Sequence, residues 1–153
     1  MINSKEFDKL MKPIPFDSLL DRRIDKKKLV KNKDGTFTYR GRLDLSRLNL
    51  KSLEFLKPFN ISIVKGNFYC SNNQLTSLEG APIKIGGYFD CNTNRLTNLE
   101  GAPKSVGGYF YCHTNRLTNL EGASKSVGGG FYCSDNKVSI EKLKRTVKRD
   151  YLN

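Results

Sequence analysis

The chain has 153 residues and a formal net charge of +12, from 27 Lys and Arg against 15 Asp and Glu. This length is typical of a single domain, so we expect residues 1–153 to form one domain. No run approaches the roughly 18 apolar residues of a membrane span, and the N-terminus does not resemble a signal peptide. We therefore expect no membrane association and a cytoplasmic location.

The positive charge lies mainly outside the centre of the chain. Residues 1–65 hold sixteen basic against eight acidic residues, residues 66–138 hold six against five, and residues 139–153 hold five against two. A net positive charge favours an acidic partner such as nucleic acid. Because the excess is split between two ends, a continuous groove for nucleic acid is the less favoured interpretation, and nucleic-acid binding through the basic ends remains an alternative.

Residues 1–41 are predicted to form an N-terminal cap. Asn3 followed by Glu6 is typical of a helix start, and we expect a short helix to Met11 that ends before Pro13 and Pro15. The segment 30–39 then alternates around an Asp-Gly pair at 34–35, which predicts a β-hairpin.

Residues 42–138 contain a repeat of 21 residues. Its clearest markers are four cysteines spaced 21 residues apart, namely Cys70, Cys91, Cys112 and Cys133. A weaker copy lies at 42–53, in a unit four residues longer. Self-similarity at this period is typical of a solenoid, so we predict about five stacked coils.

The apolar residues of each unit follow the order Phe-x-Cys-x-x-Asn-x-Leu-x-x-Leu, which resembles the leucine-rich repeat. Phe and Cys two residues apart predict a strand with one buried face. The predicted buried columns are Leu43, Phe68, Phe89, Phe110, Phe131; Leu45 and the four cysteines; Leu50, Leu75, Leu96, Leu117, Val138; and Leu53, Leu78, Leu99, Leu120. The resemblance implies one parallel sheet on a concave face, and an inward Asn ladder that begins at Asn73 and continues through Asn94, Asn115 and Asn136.

Turns and a closing helix complete the predicted architecture. The sequence Glu-Gly-Ala-Pro at 79–82 and 100–103 is typical of a turn, and its proline disfavours a regular helix at the back of the coil. The Gly-Gly pairs before each strand are interpreted as turn geometry. The tail 139–153 has apolar residues near helical spacing, which predicts a C-terminal capping helix.

Neither catalysis nor a metal site is indicated. Cysteines that recur once per coil form a straight column and do not converge tetrahedrally, so we interpret them as small buried hydrophobes, with neither zinc nor disulfides. The single histidine, His113, falls on an outward position without a nucleophile or paired carboxylate. We predict a protein that is not an enzyme and uses no cofactor or small-molecule substrate.

The outward strand positions carry the candidate site. They gather aromatic side chains that are unusual on a sheet surface, and tyrosine is enriched in binding hot spots. The candidate partner-binding residues are Tyr69, Tyr88, Tyr109, Tyr111, His113 and Tyr132. The structural alternative is that the rings only cover the sheet and favour strand formation. A further outward row, Gln74, Arg95, Arg116 and Lys137, is interpreted first as a solvated charge row.

The unit Gly-Gly-x-Phe-x-Cys-x-x-Asn-x-Leu-Thr-x-Leu-Glu-Gly-Ala-Pro is similar to one found in small leucine-rich-repeat proteins of tailed bacteriophages, over about residues 30–138. The resemblance implies a phage origin and a binding fold without naming a target. We expect a protein that binds a host or phage protein in the cytoplasm of the infected cell. The alternative is an accessory structural component of a virion or phage assembly.

Overall fold

The computed structural model describes residues 22–139 and residue 141. Their backbone coils into a β-solenoid of about five turns, in which parallel strands from successive coils form two sheets with little helix. The predicted solenoid, its coil number and its parallel strands are thus confirmed. The helix predicted to end at Met11 and the helix predicted in 139–153 lie outside the described residues, apart from Ser139 and Glu141.

The first sheet has five strands and carries the predicted Phe-x-Cys strands. Its strands are β3 (Leu43–Asp44), β5 (Phe68–Tyr69), β7 (Phe89–Asp90), β9 (Phe110–Tyr111) and β11 (Phe131–Tyr132). Their order in the sheet is β11-β9-β7-β5-β3, with each strand parallel to the next. Equivalent residues pair directly, as Phe89 does with Phe110, so the 21-residue repeat sets the register.

The second sheet has six strands and corrects the prediction of one sheet per solenoid. Its strands are β1 (Leu29–Lys31), β2 (Phe37–Tyr39), β4 (Ile61–Val64), β6 (Lys84–Ile85), β8 (Ser105–Val106) and β10 (Ser126–Val127). Their order in the sheet is β1-β2-β4-β6-β8-β10. The physical reason is a further buried column, Val64, Ile85, Val106 and Val127, whose β-branched side chains suit a strand.

The predicted hairpin is present and lies at the edge of the six-stranded sheet. Strand β1 pairs antiparallel with β2, and the intervening turn has Gly35 at φ 85°. Strand β2 then pairs in parallel with β4, which joins the hairpin to the solenoid. Two 3₁₀ helices, Lys26–Lys28 and Glu54–Phe59, complete this part of the chain, and the second occupies the longer unit.

The core is a set of columns that run along the stack. The Phe column is 0–3% exposed, and its rings contact each other from coil to coil with centroids 4.8 to 5.7 Å apart. The Leu column that closes each coil is also buried, whereas Leu50 and Val138 at the two ends of their predicted column are only partly buried. Stacking thus buries apolar surface that a single coil cannot bury.

The Asn ladder forms as predicted. Asn94 donates from Nδ2 to the carbonyl oxygens of Cys70 in the preceding coil and Cys91 in its own, both at 3.0 Å, and its Oδ1 accepts from the backbone N–H of Leu75 at 3.0 Å. Asn73, Asn115 and Asn136 repeat this arrangement. Each amide therefore ties its coil to the one before it.

Candidate functional site

The five-stranded sheet presents its outer face through two-residue strands. In β9, Phe110 points into the core and is fully buried, and Tyr111 beside it is only partly buried on the opposite face. Successive side chains of a strand alternate between faces, and the parallel register brings equivalent positions side by side. The outer residues of adjacent coils are therefore aligned in columns.

Four tyrosines form one contact network on this face, which we call the tyrosine cluster: Tyr88, Tyr109, Tyr111 and Tyr132. The Tyr111 and Tyr132 rings stack with centroids 5.2 Å apart at 16°. Tyr109 lies between the other three, with centroids 5.3 Å from Tyr88, 5.9 Å from Tyr111 and 5.8 Å from Tyr132. Such distances are those of interacting aromatic pairs, so the rings support one another.

Exposure divides the cluster into two parts. Tyr88 and Tyr109 are 40% and 36% exposed. Tyr111 and Tyr132 are half-buried, so they are less exposed to solvent than their outer strand positions predict. Desolvation and then the neighbouring tyrosines raise the pKa of Tyr111, so its hydroxyl stays protonated to a higher pH than that of a free tyrosine. The cluster thus consists of two half-buried tyrosine rings and two rings that are accessible to solvent.

The second glycine of each Gly-Gly pair makes room for the side chain of the preceding coil. A Cβ built on Gly108 would lie 2.4 Å from Cδ1 of Tyr88, and one on Gly129 would lie 2.7 Å from Cδ1 of Tyr109. The first glycine is restricted by backbone, since a Cβ on Gly107 would lie 2.2 Å from the Gly86 carbonyl oxygen. Gly108 and Gly129 therefore make room for the rings of Tyr88 and Tyr109, a role that the turn interpretation missed.

Tyr69 lies at the other end of the face and has different neighbours. The Arg42 guanidinium stands over its ring at 4.6 Å from the centroid, and its hydroxyl accepts from Asn67 Nδ2 at 2.8 Å. Asp90 occupies the equivalent position in the next coil, before Tyr111. Tyr69 therefore lies on the same outer face as the tyrosine cluster, with Asp90 between it and Tyr111 in their column.

His113 follows Tyr111 by two residues and is half-buried. Its Nδ1 lies 3.2 Å from Thr114 Oγ1. Both the threonine hydroxyl and the imidazole nitrogen can donate or accept, so which of the two is the donor depends on the histidine tautomer. His113 borders the tyrosine cluster in sequence and adds a polar group to the same face.

A third side of each coil carries the charged row. The backbone N–H of Arg95 donates to the Leu75 carbonyl oxygen and that of Arg116 to the Leu96 carbonyl oxygen, both at 2.9 Å. Both arginines and Lys137 are exposed at equivalent positions one coil apart. Elsewhere, Asp44 pairs with Arg42, and Lys57 pairs with Glu54 and with Glu79 at 3.3 Å.

The four cysteines are buried and free. Desolvation raises the pKa of Cys70, Cys91 and Cys112 well above the usual thiol value, and it raises that of Cys133 at the last coil. A buried protonated thiol is a poor nucleophile and a poor metal ligand. Across residues 22–139 and Glu141, no three His, Cys, Asp or Glu side chains come together as a metal site would require.

With this geometry the class of the molecule is a two-sheet β-solenoid with an aromatic outer face. Comparison of the chain with protein-family models, with curated proteins and with solved structures gives no match. Within the part of the chain that the structure describes, no helix is long and apolar enough to cross a membrane.

Proposed function

We propose that this protein is a non-catalytic binding module that engages a protein partner through the tyrosine cluster. The observation that carries the proposal is a contrast within the molecule. The six-stranded sheet forms with Lys84, Ser105 and Ser126 at its outer positions, so the repeat does not need outer aromatic rings to make strands.

The physical chemistry of the cluster suits protein recognition. Tyr88 and Tyr109 keep large accessible surfaces while their rings are held by neighbours and seated on glycine. Ordered aromatic side chains lose little conformational entropy on binding, which is why they act as anchors in interfaces. The described residues offer one other large exposed hydrophobic, Ile83, which lies away from this face.

We further propose that the solenoid is of leucine-rich-repeat type, with the N-terminal hairpin and the C-terminal tail acting as caps, and that it originates from a tailed bacteriophage. The Asn ladder and the Leu columns support the repeat type. The proposed setting is the cytoplasm of the infected cell, where a host or phage protein is the partner.

Affinity purification with matched variants tests this function. We expect tagged protein to recover a partner from infected cells, and Tyr88→Ser with Tyr109→Ser to weaken that complex at least about thirtyfold, because losing even one aromatic anchor costs about 2 kcal/mol. The control is Ile83→Ser, which removes an exposed apolar side chain elsewhere and should retain the partner.

Thermal melting of each variant shows whether it remains folded. Full retention of the partner by a folded tyrosine variant rejects the tyrosine cluster as the site. Co-purification with virions would instead support the structural role in a phage assembly.

A further inference from the structure

The exposed residues Arg95, Arg116 and Lys137, which we call the basic row, recur one coil apart along the stack, after the outer strand positions that carry the tyrosine cluster. Arg116 follows Tyr111 by five residues and Lys137 follows Tyr132 by five, with the turn at the Asn ladder between them. Five residues span at most about 18 Å, and the turn shortens this distance. A segment lying along the stack can therefore touch aromatic rings on one flank and basic side chains on the other.

The residues of the basic row are exposed to solvent and are held in position by the backbone. Backbone hydrogen bonds to the preceding coil hold Arg95 and Arg116 in the same register as the strands. Neighbouring coils of a parallel stack are about 4.8 Å apart, so the row places like charges closely without an acidic residue in the same column. Like charges at this spacing repel one another, and an acidic ligand would relieve that repulsion.

We propose that the partner contacts this face with an extended acidic peptide segment that carries aromatic or aliphatic residues. Its apolar side chains lie on the tyrosine cluster, and its carboxylates face Arg95, Arg116 and Lys137. This inference rests on the proposed function and names the chemistry of the partner. The net charge of +12 also accelerates the approach of an acidic segment.

The charge pattern favours a peptide over a nucleic acid. Residues 66–138 contain five acidic residues beside six basic ones, and Asp90 lies within the aromatic face. A nucleic acid carries a negative charge at each phosphate and gains affinity from many basic contacts. A peptide spaces its carboxylates and can leave a neutral residue opposite Asp90.

The test uses the full chain and labelled synthetic peptides of about ten residues, enough to cross the cluster at about 4.8 Å per coil. One peptide contains Asp and Phe in a Ser background, a second contains Lys and Phe, and a third contains Asp without Phe. A single-stranded oligothymidylate serves as the nucleic-acid probe. Binding is measured by fluorescence anisotropy at low salt.

We expect the Asp and Phe peptide to bind at least about tenfold more tightly than each of the other probes. Arg95→Glu with Arg116→Glu should weaken it by about tenfold or more, because two favourable charge contacts become repulsive. The matched control is Lys104→Glu with Lys125→Glu, which makes the same charge change one coil apart on another side. It should change affinity by no more than about twofold.

Four results would overturn the inference: equal losses in both charge-reversal variants, tighter binding of the Lys and Phe peptide, tighter binding of the oligothymidylate, or no binding of any peptide at concentrations up to about 1 mM. Tyr88→Ser with Tyr109→Ser separates this inference from the proposed function. If the Lys and Phe peptide binds the parent protein more tightly than the Asp and Phe peptide and loses that binding in this variant, the tyrosine cluster remains the site and the acidic partner is rejected. If the Asp and Phe peptide binds this variant as tightly as it binds the parent protein, the tyrosine cluster is rejected as the binding site.

Discussion

The two sheets of the solenoid are made by one repeat and differ in what they show to solvent. Phe110 in the five-stranded sheet and Val106 in the six-stranded sheet are equally buried, at 0% and 1% exposure. Outside, the first sheet carries the tyrosine cluster and the second carries lysine and serine. The comparison teaches that stacking restricts the inner residues more than the outer ones, so the repeat itself does not require the outer aromatic side chains.

The largest expected effect concerns a buried inner residue of the five-stranded sheet. Phe110→Ala should lower the free energy of unfolding by about 3–5 kcal/mol, the cost of truncating a buried Phe. It removes ring contacts to Phe89 and Phe131 at 5.0 and 4.8 Å. Denaturant unfolding measures the change.

Tyr109→Ala is the matched outer control, because Tyr109 precedes Phe110 and is 36% exposed. It should cost about 1 kcal/mol, mainly through lost ring contacts. Equal losses for the two variants would contradict the assignment of inner and outer faces.

A smaller effect is expected where the five-stranded sheet turns into the third side. Asn94→Ala should lower the free energy of unfolding by about 3 kcal/mol, because it leaves the carbonyls of Cys70 and Cys91 and the N–H of Leu75 without this partner. Thermal or denaturant unfolding reports the loss. Asn98→Ala is the control, since Asn98 only caps the backbone N–H of Glu100 and its loss should cost about 1 kcal/mol. If the control is as damaging as Asn94→Ala, the ladder does not hold the coils together.

The smallest expected effect concerns an outer position where the backbone does restrict the residue. Thr93 has φ 53°, a left-handed conformation that is strained for a β-branched side chain, while Asn72 occupies the equivalent position at φ 55°. Thr93→Asn should therefore stabilise the protein by about 1 kcal/mol, seen as a higher melting temperature. The reciprocal Asn72→Thr should lower it, and an opposite sign for either would show that the turn relaxes.

The repeat made the inner architecture predictable. Phe and Cys at a spacing of two, Leu at fixed offsets and Asn at the turn each have a periodic physical role, and they lie where the pattern places them. The sequence did not predict the six-stranded sheet because its strands are too short to show an alternating pattern. Strand β8, for example, has only two residues, which lie between a Pro-Lys pair and two glycines. Their pairing comes from neighbouring coils, which local propensity does not reveal.

The candidate site was predictable only in part. Strand alternation places Tyr111 and Tyr132 on the outer face, and the register brings their rings together. Side-chain direction is not contained in that pattern, so neither the departure of Tyr69 toward Arg42 nor the seating of Tyr88 on Gly108 could be deduced. For the second sheet, the sequence did contain a signal that could have predicted it, namely the column of β-branched residues that ends in Val127.

The Asn ladder also bears on how such a molecule can change its length. Each amide bonds to its own coil and to the one before it, as Asn115 does with Cys112 and Cys91. A gene duplication or deletion of one 21-residue unit therefore creates no new type of junction. The outer surface can lengthen or shorten in steps of about 4.8 Å. Recombination within the repeat thus offers a simple route to a longer or shorter recognition surface on an unchanged core.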